Sequence, residues 1–167
     1  MSDREPALVE SWRVISQSTG ETMQLAAALA QVARPGDRLA LVGPLGAGKT
    51  QFAKGFASWL GILEVVNSPS FTLMAEYDGR LPLFHQDLYR LAGTAEVLAG
   101  GLLDRRQDDG VTLSEWVDRL DAALDPARLT VALEPLSGDR RSIELRGHGD
   151  IATRYLEAAR HWEAQRP

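Results

Sequence analysis

The chain has 167 residues and a net charge of −5 at pH 7, which fits one acidic globular domain and argues against nucleic-acid binding by net charge alone. Hydrophobic residues account for 44% and charged residues for 25%, and these ordinary proportions exclude a disordered or fibrous chain. The absence of cysteine excludes disulfide scaffolds, cysteine nucleophiles and thiolate metal sites.

The first part of the chain is charged and is followed by no long apolar run. We therefore expect residues 1–10 to be a flexible tail and residues 11–167 to form a single domain of a cytoplasmic protein, with no secretory signal and no membrane contact. The β-branched and aromatic residues within 11–15 predict a strand. Ser18 and Glu21 have the capping-box spacing and predict the start of a helix with its body over residues 23–33.

Residues 43–50 read GPLGAGKT and match the pattern G-x-x-x-x-G-K-T, between a short buried strand predicted over residues 38–42 and a helix predicted over residues 51–60. The glycines let the backbone wrap an anion, and the helix adds its positive N-terminal end. Lys49 can reach the β- and γ-phosphates of a nucleotide, and the Thr50 hydroxyl can ligate Mg²⁺. The pattern therefore predicts nucleotide binding.

The remaining chain alternates short apolar segments with turn signals. Strands are predicted over residues 70–77, 81–86, 111–115, 129–133 and 142–145, and a helix over residues 150–165. Arg154, Glu157, Arg160 and Glu163 recur at a spacing of three and predict an ion-paired stripe on that helix. Helices follow strands early in the chain and hairpin signals come later. This order predicts an α/β fold: a P-loop NTPase-like three-layer domain with a mixed central sheet flanked by helices.

Two acids stand at the predicted ends of strands, where an open α/β sheet places its ligands. Asp87 follows the strand over residues 81–86, and Glu115 ends the segment 111–115, in which Thr112 and Ser114 weaken the apolar pattern. Either carboxylate can serve near a metal ion or face water, and the pattern does not separate these roles. The hydroxyl-rich segment 68–72 fits both a phosphate-sensing loop and a plain entry into a strand.

Several motifs in their order along the chain resemble the TsaE (YjeE) family. The resemblance covers residues 19–145 and is carried by the P-loop, the segment SPSFT at 68–72, Tyr77, the block HQDLYRL at 85–91 and the pair Glu115–Trp116. It implies a small bacterial ATPase of tRNA N6-threonylcarbamoyladenosine synthesis. Such an ATPase assists the partner proteins TsaB and TsaD, which modify the adenosine next to the anticodon, so tRNA is contacted only indirectly.

The resemblance also implies site residues, with ATP and Mg²⁺ as cofactors. Thr50 and Glu115 would be Mg²⁺ ligands, Asp87 an essential acid at the metal, and Lys49, Asp87 and Glu115 the catalytic set. Trp116 would lie near the nucleotide or in the core. From the motif and the resemblance together, the predicted ATP-contacting residues are Thr19, Gly43, Leu45, Gly46, Ala47, Gly48, Lys49, Thr50, Ser70, Thr72 and Trp116.

Two other functions are compatible with a P-loop in a chain of this size. A small-metabolite kinase would use paired arginines on a lid, for which Arg105 and Arg106 are candidates, although a solvated loop is the preferred interpretation of this pair. An ATP-regulated binding module with little intrinsic hydrolysis would carry the same residue types as a slow ATPase. A GTPase switch is excluded because the chain lacks both the Asn-Lys-x-Asp and the Asp-x-x-Gly elements.

Overall fold

The computed structural model of the protein describes residues 9–67, 74–87, 105–115 and 128–167. The strands are β1 (Glu10–Ser16), β2 (Arg38–Val42), β3 (Met74–Tyr77), β4 (Leu83–Asp87), β5 (Val111–Glu115), β6 (Leu129–Pro135) and β7 (Arg141–Gly147). The helices of the described part are α1 (Thr19–Ala30), α2 (Lys49–Trp59) and α3 (Gly149–Ala164), with a short 3-10 helix at Arg105–Asp109. Each predicted element that falls on described residues is present, with ends shifted by a few residues.

The strands form one seven-stranded sheet in the order β1-β7-β6-β2-β5-β4-β3. Strands β6, β2, β5 and β4 run parallel, whereas β7 is antiparallel to both β1 and β6 and β3 is antiparallel to β4. The predicted α/β fold with a mixed sheet is thereby confirmed. The carboxyl ends of these four parallel strands lie along the same side of the sheet, across the strand direction, and we term this side the carboxyl edge.

Helix α1 begins at the cap that the sequence predicts, before the first residue of its apolar pattern. The backbone N–H of Glu21 donates to Ser18 Oγ at 3.1 Å, and the N–H of Gln17 donates to the Glu21 carboxylate at 2.7 Å. These two bonds satisfy N–H groups at the start of the helix that would otherwise lack a partner. The predicted helix start and the Ser18 cap are confirmed, with Glu21 accepting from Gln17, the residue before the cap, in place of the Ser18 N–H of a complete capping box. Helix α1 starts at Thr19 and ends at Ala30.

The core lies between the sheet and the helices, and α1 packs closely on α2. A Cβ atom added to Gly55 would stand 2.3 Å from the carbonyl oxygen of Met23, so only glycine allows this approach. The rings of Phe52 and Phe56 stack on the buried side of α2, with centroids 6.4 Å apart.

Strand β5 is buried throughout despite its polar residues. The Ser114 hydroxyl donates to Gln86 Oε1 on β4 at 3.1 Å, and Thr112 lies within 3.4 Å of Gln107 Oε1. A buried polar side chain has little cost when it finds a hydrogen-bond partner. The interrupted apolar pattern of this strand is therefore explained by hydrogen-bond partners on β4 and on the 3-10 helix.

The predicted ion-paired stripe on α3 is wrong. Within the part of the chain that the structure describes, no ion pair joins Arg154, Glu157, Arg160 and Glu163 to one another. Arg154 instead binds Asp37 at 2.8 Å and Asp150 at 2.8 Å, and Glu163 pairs with Arg166 at 3.6 Å. The guanidinium of Arg160 stacks over the ring of Trp12 at 4.8 Å. Arg154 and Arg160 thus find buried or stacked partners on other elements, and the pair of Arg154 with the exposed Asp150 is a local contact outside the predicted stripe. No helix in the described ranges is apolar and long enough to cross a bilayer.

Candidate nucleotide site

The P-loop lies at the carboxyl edge, between β2 and α2, where the sequence places it. A Cβ atom on Gly43 would stand 2.3 Å from the carbonyl oxygen of Leu133 on β6, so this position excludes any side chain. Gly46 and Gly48 have φ angles of 80° and 102°, in the left-handed region that favours glycine. The three glycines of the motif are thus required by the backbone of the loop itself.

Lys49 folds back along the loop. Its side chain is 7% exposed, and Nζ donates to the carbonyl oxygen of Gly43 at 2.9 Å. Gly48 is the N-cap of α2, and the first turn of the helix contains no acidic residue that would offset its positive end. A cationic side chain and a helix N-terminus directed at the same loop favour a phosphate group.

The other predicted loop residues occupy different environments. Ala47 is fully buried, and its N–H donates to the carbonyl of Pro44 at 3.1 Å. Leu45 is 91% exposed at the tip, so its side chain contacts little of the protein. Thr50 is half-buried in the first turn of α2.

The structure brings the two predicted acids together. Asp87 and Glu115 are direct register neighbours at the ends of β4 and β5, and Glu115 is also the register neighbour of Leu41 on β2. Because opposed residues of paired strands point to the same face, the two carboxylates share one face of the sheet. They are 5% and 3% exposed, respectively. The strand that leads into the P-loop is adjacent, so the acids lie beside the loop at the carboxyl edge.

This arrangement of hydroxyl and carboxylate groups fits Mg²⁺. Magnesium prefers oxygen ligands and is usually held by one or two carboxylates together with substrate phosphates and water. In the described ranges no cluster of three or more His, Asp or Glu residues could hold a metal ion by itself. Thr50, Asp87 and Glu115 offer oxygen atoms of this kind.

His85, the first residue of the block HQDLYRL, lies beside the two acids and was not predicted as a site residue. It is fully buried, two residues before Asp87 on the same face of β4, and its Nε2 lies 2.8 Å from Glu115 Oε2. Its Nδ1 has no hydrogen-bond partner in the part of the chain that the structure describes. The i, i+2 spacing of His85 and Asp87 is the sequence signal that places both at one site.

Arg141 was also missed, because it lies far from the P-loop in sequence. From the start of β7, its Nε donates to the carbonyl of Ala47 at 3.1 Å and its Nη2 to the carbonyl of Gly46 at 3.2 Å. No local sequence pattern identifies an arginine on the β6–β7 hairpin that binds the P-loop. Only the pairing of β6 with β2 and β7 brings it to the loop.

Thr19 also lies at the carboxyl edge. It is exposed at the start of α1, just after β1, whose last residue Ser16 pairs with Arg141. The predicted contact of Thr19 with the adenine of ATP stays a prediction. The predicted site residues Ser70, Thr72 and Trp116 lie outside the described residues.

A glycine loop between a buried strand and a helix, with two carboxylates on neighbouring parallel strands, defines a P-loop domain of the α/β class. Residues 16–143 match the sequence model of a family described as threonylcarbamoyl adenosine biosynthesis protein TsaE. The chain belongs to the TsaE family.

Two relatives and a solved structure show how far the similarity extends. The tRNA threonylcarbamoyladenosine biosynthesis protein TsaE of Bacillus subtilis is 43% identical over 140 residues, which cover 83% of this chain and 86% of the relative. The protein of the same name from Treponema pallidum is 37% identical over 131 residues, covering 78% of this chain and 97% of the relative. The crystal structure of Bacillus subtilis YdiB superposes with a TM-score of 0.75 at 35% identity, covering 93% of this chain and 99% of YdiB.

Proposed function

We propose that this chain binds ATP with Mg²⁺ and hydrolyses it as a component of tRNA N6-threonylcarbamoyladenosine synthesis, acting on a TsaB–TsaD complex. The names of its relatives support the pathway. The observation that carries the ATPase proposal is the pairing of Asp87 with Glu115 beside a complete P-loop. The partner complex and the indirect relation to tRNA follow from the family resemblance and agree with the acidic charge of −5.

In this proposal each group has a separate task. The P-loop backbone and Lys49 hold the phosphates, and Thr50 with Glu115, Asp87 or both holds the metal ion. When bound, Mg²⁺ neutralises charge on the β- and γ-phosphates. Asp87 or Glu115 orients the attacking water through a carboxylate oxygen that is not on the metal. The water oxygen bonds to the γ-phosphorus as the bond to ADP breaks, giving ADP and phosphate; one hydrogen of the water stays on the phosphate and the other leaves to solvent as a proton.

The buried His85 supports the acid of β5 in this scheme. A carboxylate with one oxygen held by an imidazole nitrogen at 2.8 Å has fewer orientations than a free one. Such outer contacts fix the direction of a metal-binding side chain. His85 therefore acts through Glu115 and is not required to touch the nucleotide.

The test is ATP turnover by Lys49→Ala, Asp87→Ala and Glu115→Ala, each measured with and without purified TsaB–TsaD. We expect turnover to fall roughly 100-fold or more in each variant, as when one electrostatic contact to a transition state is removed. Two matched controls are Lys54→Ala, on the same helix, and Glu134→Ala, an exposed acid at the end of β6. Parental turnover in all three site variants would show that the site is wrongly assigned.

The same measurements separate the alternatives. Tight ATP binding without turnover, with or without TsaB–TsaD, would show an ATP-regulated binding module. Phosphate transfer to an added small alcohol or acid would show a kinase. The backbone of Arg105 and Arg106 argues against the kinase, because it lies in the 3-10 helix that precedes β5, at the edge of the sheet opposite the P-loop.

A reconstituted tRNA modification system tests the pathway. Removing this protein should stop modification after about one turnover of the TsaB–TsaD complex, because resetting of the complex would depend on ATP hydrolysis. Multiple turnover that continues without this protein would contradict the proposed function.

A further inference from the structure

The guanidinium of Arg141 joins the P-loop to the β6–β7 hairpin. Besides its bonds to the Gly46 and Ala47 carbonyls at 3.2 and 3.1 Å, its Nη1 donates to the carbonyls of Gly138 at 3.0 Å and Arg140 at 2.8 Å. All three guanidinium nitrogens therefore donate to backbone carbonyls. Two of the four acceptor oxygens lie in the P-loop and the other two in the hairpin. The hairpin thus serves as a fixed support from which the arginine holds the loop.

These bonds fix the direction of two consecutive peptide groups. In a trans peptide the C=O and the following N–H point to opposite sides. With the Ala47 carbonyl held toward the hairpin, the N–H of Gly48 points away from it. The Gly46 carbonyl is held in the same way, and the next N–H, that of Ala47, donates to Pro44.

Apart from the bonds of Lys49 Nζ to Gly43 and of the Ala47 N–H to Pro44, the loop has few restraints of its own near Gly46. Gly46 and Gly48 adopt φ angles of 80° and 102°, and a Cβ added to Gly46 would meet no atom within 4 Å. Glycines without steric neighbours have many accessible backbone conformations. A loop that must be ordered by its ligand binds that ligand more weakly than a preorganised one.

We propose that Arg141 is a positioning residue that holds the P-loop in its phosphate-binding conformation before a nucleotide arrives. The inference rests on the proposed function in so far as the ligand is ATP. The two-carbonyl contact requires the planar fork of arginine, because the compact ammonium of lysine keeps the charge but cannot place two fixed donors in one plane.

The test compares Arg141→Ala, Arg141→Lys and the control Arg140→Ala in the full chain. Arg140 is the neighbouring arginine, and its bonds go to Gln17 and Ser137, not to the P-loop. The first measurement is amide hydrogen exchange of residues 46–48 without nucleotide. We expect faster exchange in both Arg141 variants and parental exchange in Arg140→Ala.

The second measurement is the dissociation constant for a fluorescent ATP analogue with Mg²⁺. We expect Arg141→Ala to weaken binding about tenfold, equivalent to about 1.4 kcal/mol, and Arg141→Lys to weaken it less. A thermal melt of each variant checks folding, and Arg141→Lys decides the question if the alanine variant does not fold.

Several outcomes would overturn the inference. Arg141→Ala would overturn it if its hydrogen exchange and its affinity were both those of the parent, or if its exchange were faster and its affinity unchanged. Arg141→Lys would overturn it if it behaved like the parent in both measurements. Arg140→Ala would overturn it if it weakened ATP-analogue binding as much as Arg141→Ala. If the parent protein binds no ATP analogue, the proposed function fails, whereas the exchange measurement still decides whether Arg141 holds the loop.

Discussion

Replacement of Asp37 by alanine is expected to destabilise the protein strongly, because this carboxylate ties the turn before β2 to α3. It accepts hydrogen bonds from Arg154 Nη1 and Nη2 at 2.9 and 2.8 Å, from the Tyr155 hydroxyl at 2.8 Å and from the N–H of Arg34 at 2.9 Å. The Asp37 and Arg154 side chains are only 8% and 13% exposed. Pairing with Asp37 raises the pKa of Arg154 above its ordinary value.

The size of the destabilisation by Asp37→Ala follows from the buried polar groups that lose Asp37 as their partner. Removing one partner of a buried ion pair costs about 3–5 kcal/mol. Arg154 retains Asp150 and the carbonyl of Val32 at 2.7 Å, which lowers this cost. The Tyr155 hydroxyl loses its acceptor, which adds roughly 1 kcal/mol. We therefore expect a loss of about 3 kcal/mol in the free energy of unfolding, or a Tm lower by about 6–12 °C for a domain of this size.

The assay is thermal denaturation at pH 7, followed by circular dichroism. Asp150→Ala is the matched control: it removes the other carboxylate that binds Arg154, but that side chain is 71% exposed. Its effect on Tm should be much smaller, because solvent and salt screen an exposed pair. Equal shifts for the two variants, or a shift below about 2 °C for Asp37→Ala, would refute the reasoning from burial.

Two further predictions concern packing and ionisation. Burial, and then the Asp37 charge, raise the pKa of Tyr155 above its ordinary value of 10.0. Above about pH 10 the unfolded state therefore loses this proton while the folded state keeps it, and the folded state loses stability relative to the unfolded state as the pH rises. Tyr155→Phe should lower the free energy of unfolding by about 1 kcal/mol at pH 7. Above pH 10 the difference in Tm between this variant and the parent should narrow, and a difference that stays constant with pH would contradict the raised pKa of Tyr155. Gly55→Ala should lower Tm by several degrees, because the new methyl group meets the Met23 carbonyl at 2.3 Å. Gly20→Ala, with only an ordinary contact at 3.7 Å, should leave Tm unchanged or raise it, and the opposite order would show that the helices move apart at little cost.

The P-loop could be predicted from sequence because its requirements are local. Backbone sterics need glycine at fixed positions, and Lys49 and Thr50 follow directly in the chain. The helix cap formed by Ser18 and Glu21 is local in the same sense, since its bonds span three and four residues. Such features depend on short-range geometry that the sequence displays.

The stripe on α3 shows where local reasoning fails. A spacing of three places charges side by side on a helix, but Arg154 binds Asp37, 117 residues away. The weak pattern of β5 has the same cause, because the partner of Ser114 is on β4. Which side chain a charged or polar residue contacts depends on which elements lie next to it, and local periodicity does not contain that information.

By itself, the sequence determined an acidic, cysteine-free α/β domain with a strand–P-loop–helix unit and two strand-end acids. Only the tertiary structure decided that Asp87 and Glu115 are neighbours, that His85 contacts Glu115 and that Arg141 reaches the P-loop. The physical reason is that conformational preferences and hydrophobic periodicity act over a few residues. The sheet order, in contrast, is selected by packing of the whole chain, and at this site it brings together groups separated by 28 to 95 positions.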